Sequence, residues 1–193
     1  MAPLPESGEG YGLVVRTWVD GDAESLHDLV KANLEHLRPR MAWIAADPPD
    51  VAARRALIRE WERLRADGEE VVLGIFEAGS PVGSTGFRIM GDGRAEVGYW
   101  VDRFHLRRGI ATRAAALSAD LAFTVSDVDT VVIPHDVENL ASRGVPEGLG
   151  FTHVGVEAPS RALAPADTGR DDVWQLARED WSARGGRTMV QRV

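Results

Sequence analysis

The chain has 193 residues and no cysteine, so it can form one domain with its own hydrophobic core but neither a disulfide framework nor a thiol nucleophile. Its formal net charge of −8 at pH 7 argues against nucleic acid as a partner, because a phosphate backbone demands clustered positive charge. No apolar run approaches the roughly 20 residues that span a bilayer, and residues 1–11 lack a signal pattern, so we expect a cytoplasmic protein without a membrane partner.

The first third of the chain predicts one strand followed by two helices. Residues 11–19 alternate apolar and polar side chains and are rich in β-branched residues, which is typical of a strand. Asp22 can cap a helix over residues 23–37. A second helix begins after Pro48-Pro49-Asp50 and ends at Asp67-Gly68.

The middle of the chain predicts three strands joined by short turns, over residues 70–77, 81–90 and 94–101. Strands joined this closely pair antiparallel with their neighbours in sequence, so they form a meander. An alanine-rich helix follows and runs to about residue 125. After it come a buried strand, a short helix and two final strands, over residues 128–134, 139–150, 151–157 and 171–178.

These elements predict a mixed α/β (α+β) fold in a single domain over residues 11–180. Residues 1–10 are expected to form a flexible N-terminus, residues 158–170 a mobile loop, and residues 181–193 a polar C-terminal tail. A dinucleotide-binding oxidoreductase would alternate strands and helices throughout and carry a Gly-x-Gly-x-x-Gly turn, and the chain has neither. The histidines show no metal-ligand spacing, so no metal site is predicted.

The segment Arg107-Arg108-Gly109-Ile110-Ala111-Thr112 joins the last strand of the meander to the alanine-rich helix. A glycine-bearing turn at a helix N-terminus leaves backbone N–H groups without acceptors, and they point with the positive end of the helix dipole. The two adjacent arginines indicate that the anion bound there is a phosphate. The glycine would equally serve a plain turn, so the interpretation depends on the rest of the sequence.

Four segments in order resemble the RimJ/RimL branch of the Gcn5-related N-acetyltransferase (GNAT) superfamily. They are Asn33-Leu34-Glu35-His36-Leu37-Arg38-Pro39 with Trp43, then Ala95-Glu96-Val97-Gly98-Tyr99-Trp100-Val101, then Arg108-Gly109-Ile110-Ala111-Thr112, then Glu138-Asn139-Leu140-Ala141-Ser142-Arg143 with Leu149-Gly150-Phe151. The resemblance implies a mostly antiparallel central sheet, split at its middle strands and flanked by about four helices. It also implies an N-acetyltransferase that uses acetyl-CoA, releases CoA, and works by direct attack in a ternary complex.

The resemblance also assigns roles to single residues. The CoA pyrophosphate would bind to Arg107, Arg108, Gly109, Ile110, Ala111 and Thr112, and the pantetheine arm to the backbone of Tyr99, Trp100 and Val101. Asn139 would lie near the pantetheine amides. Ser142 would lie near the sulfur and donate a hydrogen bond to the leaving thiolate. Glu96 would act as the general base, through a water molecule.

Each assignment competes with an ordinary structural role. Glu96 could instead be a solvated carboxylate on the strand or form an ion pair with Arg94 or Arg88. The other competing roles are core packing for Tyr99 and Trp100 and helix capping for Asn139 and Ser142.

The chain departs from the superfamily pattern in four ways. Leu106 stands where a Gln or Arg usually precedes the phosphate turn, and Ala111 replaces the glycine at the last position of that turn. No tyrosine follows Asn139 as a general acid, and Pro146 lies within a predicted helix. The acceptor would be a primary amine, either a protein N-terminus, as the branch suggests, or a small molecule such as an antibiotic or metabolite. A catalytically inactive CoA-binding regulatory module is a further alternative. We expect a monomer or a homodimer.

Overall fold

A computed structural model describes residues 2–183 of the chain. The strands within this part are Ser7–Gly10 (β1), Leu13–Thr17 (β2), Glu70–Glu77 (β3), Ser80–Gly91 (β4), Arg94–Val101 (β5), Thr130–Asp136 (β6), Thr152–Glu157 (β7) and Asp171–Ala177 (β8). The α-helices are Ala23–Leu37 (α1), Val51–Ala66 (α2), Ile110–Ala122 (α3), Leu140–Gly148 (α4) and Arg178–Ala183 (α5). Every strand and helix expected from the sequence is present, and β1 and α5 are additional.

The strands form one sheet in the order β1-β2-β3-β4-β5-β6-β8-β7. All neighbouring strands run antiparallel except β5 and β6, which run parallel. This parallel pair is short, because only Arg94 to Glu96 of β5 pair with Thr130 to Val132 of β6. Beyond Glu96 the two strands diverge, while each keeps its outer neighbour. The predicted split at the middle of a mostly antiparallel sheet is therefore confirmed.

Local sequence accounts for the two helical layers that cover the sheet. Asp50 caps α2, where its carboxylate accepts a hydrogen bond from the N–H of Ala53 at 2.8 Å. The alanines of α3 let that helix lie close against one face of the sheet, and most of its side chains are buried. A second cluster on the opposite face joins the sheet to α1 and α2; its largest members include Trp18, Leu26, Ile58 and Phe76.

Successive residues of β5 point to these two layers in turn, as strand geometry requires. Ala95, Val97 and Val101 belong to the cluster that contains α3. Trp100 packs instead against the cluster formed by α1 and α2. The strand therefore has an α3 face and an α1/α2 face, and its even-numbered residues, Glu96 among them, lie on the second.

The structure differs from the expected flexible N-terminus over residues 1–10. Ser7–Gly10 pairs with β2, and Leu4 is buried and exchanges backbone and guanidinium hydrogen bonds with Arg65. Gly8 and Gly10 fit here because they lie close to leucines of α3: an added Cβ would come within 3.4 Å and 3.3 Å of Leu121 and Leu117, respectively.

The beginning of the expected C-terminal tail, over residues 181–183, is also ordered. Trp181 in α5 is 3% exposed, and its indole N–H donates to Asp120 at 2.8 Å. Residues 184–193 of that expected tail lie outside the described residues, as does Met1. In residues 2–183, every helix is too short or too polar to cross a bilayer.

Candidate active site

The phosphate turn ends in a left-handed glycine at the N-terminus of α3. Gly109 has φ 69° and is the N-cap, and the first intrahelical bond runs from the N–H of Arg113 to the carbonyl of Gly109 at 3.1 Å. The N–H groups of residues 109–112 precede that bond, so the helix gives them no acceptor. The side chain of Arg113 donates to the carbonyls of Gly109 and Arg108 and so holds the turn in place. This geometry is that of an anion site at a helix N-terminus.

The two arginines of the turn have different surroundings. Arg108 forms an ion pair with Glu77 of β3 at 2.7 Å, which anchors the turn to the neighbouring strand. Arg107 is exposed and has no acidic partner within residues 2–183. Its φ of 59° lies in the left-handed region, where a side chain with a Cβ is strained. Arg107 is therefore the arginine whose charge remains available to a phosphate.

The side chains of Val101, Ile110 and Thr112 are buried, at 6%, 1% and 8% exposure. These three predicted contacts can reach a ligand through their backbone groups only. The backbone of β5 from Tyr99 to Val101 lies beyond the last pair with β6, so its edge faces the split. Its pairing with β4 is regular over these residues, which means that the divergence of β6, and not a bulge, exposes that edge.

Tyr99 joins β5 to α4 across the split. Its hydroxyl donates to the carbonyl of Ser142 at 3.2 Å. In a regular helix the N–H four residues later would donate to that carbonyl, but that residue is Pro146, which has no N–H. Burial raises the pKa of Tyr99 well above its usual range, and the hydrogen bond to Ser142 only partly offsets this. Tyr99 is therefore a neutral hydrogen-bond donor at neutral pH.

Asn139 and Ser142 lie at the N-terminus of α4, beside the split. Asn139 is the N-cap, and its side chain accepts a hydrogen bond from the N–H of Ser142 at 3.4 Å. Helix capping, the competing role for Asn139, is thus present in the structure. Ser142 is half-buried and contributes its carbonyl to the contact with Tyr99.

Glu96 lies at the point where β5 and β6 part, on the α1/α2 face. Its side chain is 17% exposed and pairs with Arg88, directly opposite on β4, at 3.2 Å between Oε2 and Nη2. The same Arg88 nitrogen donates to Ser160 Oγ at 2.9 Å. On the far side of Arg88, Glu70 has a pKa raised first by burial and further by the charge of Glu96, while Arg88 lowers it. Glu96 therefore forms the ion pair with Arg88, one of the two partners considered.

Residues 158–170 are fastened to the rest of the molecule, in contrast to the expected mobile loop. Asp136, at the end of β6, is 1% exposed and accepts from Arg40 and from both the N–H and the hydroxyl of Thr168. Arg161 bridges Asp167 and Asp171 at 2.6 Å and 2.9 Å. The loop consequently links the end of β6 to Pro39 and Arg40, just after α1.

The pKa of Asp136 reflects opposing effects in this cluster. Burial raises it, but hydrogen bonds from Thr168 and Glu138 and the charge of Arg40 together hold it below its ordinary value. Asp136 is therefore ionised at neutral pH.

Asn33 connects α1 to the segment that leads into the phosphate turn. Its side chain is fully buried, donates to Asp102 at 2.9 Å and accepts from the N–H of Arg103 at 2.8 Å. Asp102 also contacts His105 Nδ1 at 2.7 Å. Asn33 appeared in the sequence only as part of a helix motif, and its long-range contact with Asp102 gives it a positioning role. The signal in the sequence was an asparagine on the apolar face of α1, because a buried amide side chain needs hydrogen-bond partners.

Within residues 2–183 there is no group of three or more His, Cys, Asp or Glu side chains arranged to hold a metal ion. The predicted site residues lie at four places: β5 from Glu96, its last residue paired with β6, to Val101; the phosphate turn; the first turn of α3; and the start of α4. Trp100 points to the α1/α2 face, as Glu96 does, and its ring centroid lies 6.3 Å from that of Trp43.

A family model described as "Acetyltransferase (GNAT) domain" matches residues 12–152, which is well over half of the chain. The chain belongs to the GNAT family of acetyltransferases. The expectations of a GNAT fold, of an N-acetyltransferase, and of acetyl-CoA as its cosubstrate are confirmed at the level of the family.

Individual GNAT proteins show the same likeness. YdaF of Bacillus subtilis (strain 168), whose name proposes a ribosomal N-acetyltransferase, is 30% identical over 146 residues, or 74% of this chain and 79% of YdaF. A coenzyme A complex of RimL, a ribosomal L7/L12 alpha-N-protein acetyltransferase, has a TM-score of 0.80 at 21% identity and covers 91% of this chain and 99% of its own. Mycobacterium smegmatis RimJ has a TM-score of 0.78 at 21% identity, covering 96% and 98%. These structures establish the fold.

Proposed function

We propose that this GNAT enzyme transfers the acetyl group of acetyl-CoA to the N-terminal amine of a protein. The observation that carries the proposal is the split between β5 and β6, which begins just beyond Glu96. Two features support it: the helix gives no acceptor to the N–H groups of residues 109–112, and Ser142 on α4 contacts Tyr99 of β5. A thioester held in such a cleft would lie between an anion site and two polar side chains. The names of YdaF and RimL support a protein amine as acceptor.

The donor would bind through the backbone and one arginine. The pyrophosphate would accept hydrogen bonds from the N–H groups of residues 109–112, with Arg107 supplying a positive charge. The amides of the pantetheine arm would pair with the free edge of residues 99–101, as a short added strand. Leu106 contributes no polar group, so the turn itself must hold the phosphates.

The chemistry needs a neutral amine and an acceptor for its proton. The amine nitrogen bonds to the acetyl carbon, the carbon–sulfur bond breaks, and the sulfur leaves as a thiolate. Glu96 would take the amine proton through water, and the Ser142 hydroxyl would donate a hydrogen bond to the leaving sulfur. Tyr99 holds the Ser142 carbonyl and so orients the start of α4.

An N-terminal amine suits this site better than a lysine. Its pKa is about 8 and that of lysine about 10.4, so less free energy is needed to obtain the neutral form at pH 7. Glu96 and Glu70 lie on either side of Arg88 on the α1/α2 face, so when both are ionised one negative charge is left to attract an ammonium group. Newly made ribosomal proteins carry such amines in the cytoplasm, where we propose that the enzyme acts.

Release of free CoA thiol measures the reaction. Purified protein with acetyl-CoA is given a peptide with a free N-terminus, the same peptide with a blocked N-terminus and one internal lysine, and a panel of small amines. We expect turnover of the free N-terminus, with the acetyl group located there by mass spectrometry. Preferred turnover of a small amine, or of the blocked peptide, would contradict the proposed acceptor.

Two variants test the site residues. Glu96→Gln should lower kcat by about 100-fold or more, as expected for loss of a general base, and Ser142→Ala by about 10-fold. Glu60→Gln is the matched control, because Glu60 also pairs with an arginine, Arg63 at 2.6 Å, but on the exposed surface of α2. Full activity of both site variants would remove Glu96 and Ser142 from the mechanism while leaving the reaction itself in place.

A further inference from the structure

Gly98 is an exposed glycine in a central strand of the sheet. A glycine there weakens a strand, so its presence needs a reason. The two glycines of β4 nearby have one: an added Cβ would meet the carbonyl oxygen of Trp100 at 2.3 Å for Gly83 and that of Val71 at 2.1 Å for Gly86. At Gly98 an added Cβ would meet nothing within 4 Å, and its φ is not positive. Neither packing nor backbone conformation requires a glycine at this position.

The space above Gly98 has defined walls. On the same face of β5, Glu96 lies two residues before it and Trp100 two residues after it, each about 7 Å away along the strand. Directly opposite on β4 lies Gly86, so two neighbouring strands present a floor of bare backbone. One end of this floor carries the Glu96–Arg88 pair, and the other carries Trp100 packed near Trp43. We call this space the glycine slot.

The glycine slot lies on the α1/α2 face, next to the point where the sheet splits. The carboxylate at one end of the slot is that of Glu96, the proposed general base. A peptide main chain can approach such a floor to van der Waals contact, which a side chain at position 98 or 86 would prevent. The aromatic end offers Trp100 and half-exposed Trp43 to an apolar side chain.

We propose that Gly98 determines which amines this enzyme accepts: the first residue of the acceptor peptide lies on Gly98, with its amine toward Glu96 and the following residue against Trp100 and Trp43. This inference rests on the proposed function and adds a position to it. Because Gly98 has no side chain, the glycine slot stays open and the amine can reach Glu96. A side chain at position 98 would block that approach.

The test fills the slot with side chains that the free protein can accommodate. At Gly98 an added Cβ meets open space at an ordinary strand position, and valine is favoured in strands, so both Gly98→Ala and Gly98→Val should fold, and urea unfolding checks this. We expect CoA affinity, by calorimetric titration, within about twofold of the wild type. kcat/KM for the peptide should fall about 10-fold for Gly98→Ala and about 100-fold for Gly98→Val, since a displacement of about 1 Å at the reacting atoms costs about 100-fold.

Gly21→Ala is the matched control, because an added Cβ there also meets nothing within 4 Å and Gly21 lies in the short helix before α1, away from the split. It should keep wild-type kcat/KM. Wild-type peptide turnover by Gly98→Val would overturn the inference and leave the proposed function intact. Loss of CoA affinity in both Gly98 variants would also overturn it, because the space would then belong to the donor. A wild-type enzyme that turns over no peptide would instead refute the proposed function, and the inference with it.

Discussion

A double-mutant cycle can test the contact between Tyr99 and α4. Pro146 deprives the Ser142 carbonyl of its helical donor, and the Tyr99 hydroxyl takes that place at 3.2 Å. Tyr99→Phe removes the hydroxyl donor from a carbonyl to which Pro146 cannot donate. Pro146→Ala introduces a main-chain N–H in the position where a helix normally bonds this carbonyl.

The size of the effect follows from the two backgrounds. Beside Pro146, loss of the hydroxyl should cost about 1–3 kcal/mol, the range for a buried polar group that loses its partner. In the Pro146→Ala background the main chain supplies a donor, so the same change should cost about 0.5 kcal/mol or less. The coupling free energy between the two positions should therefore be about 0.5–3 kcal/mol, the range seen for residues that share a hydrogen-bond network.

Urea unfolding of the wild type, both single variants and the double variant gives the four free energies. The midpoints should be compared only if the m-values agree, which shows that the same surface is exposed in each. Equal costs of Tyr99→Phe in the two backgrounds would refute the idea that Tyr99 replaces the missing N–H. The Tyr99 hydroxyl would then contribute the same free energy of unfolding whether residue 146 is proline or alanine.

Three further predictions concern other parts of the site. Arg107→Gly should stabilise the fold by about 1 kcal/mol, because it relieves the left-handed φ of 59°, yet it should weaken CoA binding several-fold. Arg107→Ala should weaken CoA binding without stabilising the fold. Unchanged CoA affinity by calorimetry would exclude Arg107 from phosphate binding. Asn33→Ala should lower stability by about 2 kcal/mol and weaken CoA binding, because Asp102 loses one of its donors and the N–H of Arg103 loses its acceptor. Lower stability with intact CoA affinity would show that Asn33 supports only the core. The pKa of Asp136 is below its ordinary value, so its carboxylate stabilises the fold fully above about pH 4, and this stability is lost as the pH falls through the lowered pKa. Asp136→Asn should therefore reduce the dependence of the unfolding free energy on pH in the acid range. An unchanged dependence in the variant would contradict this.

Local signals explain what could be predicted from the sequence. Asp50 caps α2 and Gly109 turns the chain into α3, and both act on backbone groups within a few residues. The meander likewise depends on short turns between successive strands. A structure that depends only on residues close together in the sequence can be predicted from that sequence, and the phosphate turn is one.

Pairing across the sheet was harder to predict. Arg94 and Arg88 were both possible partners for Glu96, and the register of β4 against β5 selects Arg88, which lies directly opposite. The contact between Tyr99 and Ser142 depends on how far β5 and β6 diverge. No local pattern encodes that distance.

Composition was misleading at the chain ends. The Pro- and Gly-rich N-terminus predicted flexibility, but its glycines allow close packing against the leucines of α3. Trp181 was the overlooked signal at the other end, since a large aromatic residue in a polar segment tends to be buried.

The ion pairs and hydrogen bonds that hold residues 158–170 also affect the conformational entropy lost when a peptide binds. Arg161 and Asp136 hold this loop near both of its ends, so it has little conformational freedom left to lose when a peptide arrives. If the proposed acceptor peptide contacts this loop, the cost in ordering entropy falls almost wholly on the incoming tail. Among peptides with the same first residues, those whose tails are already extended or stiffened by proline should have the lowest KM.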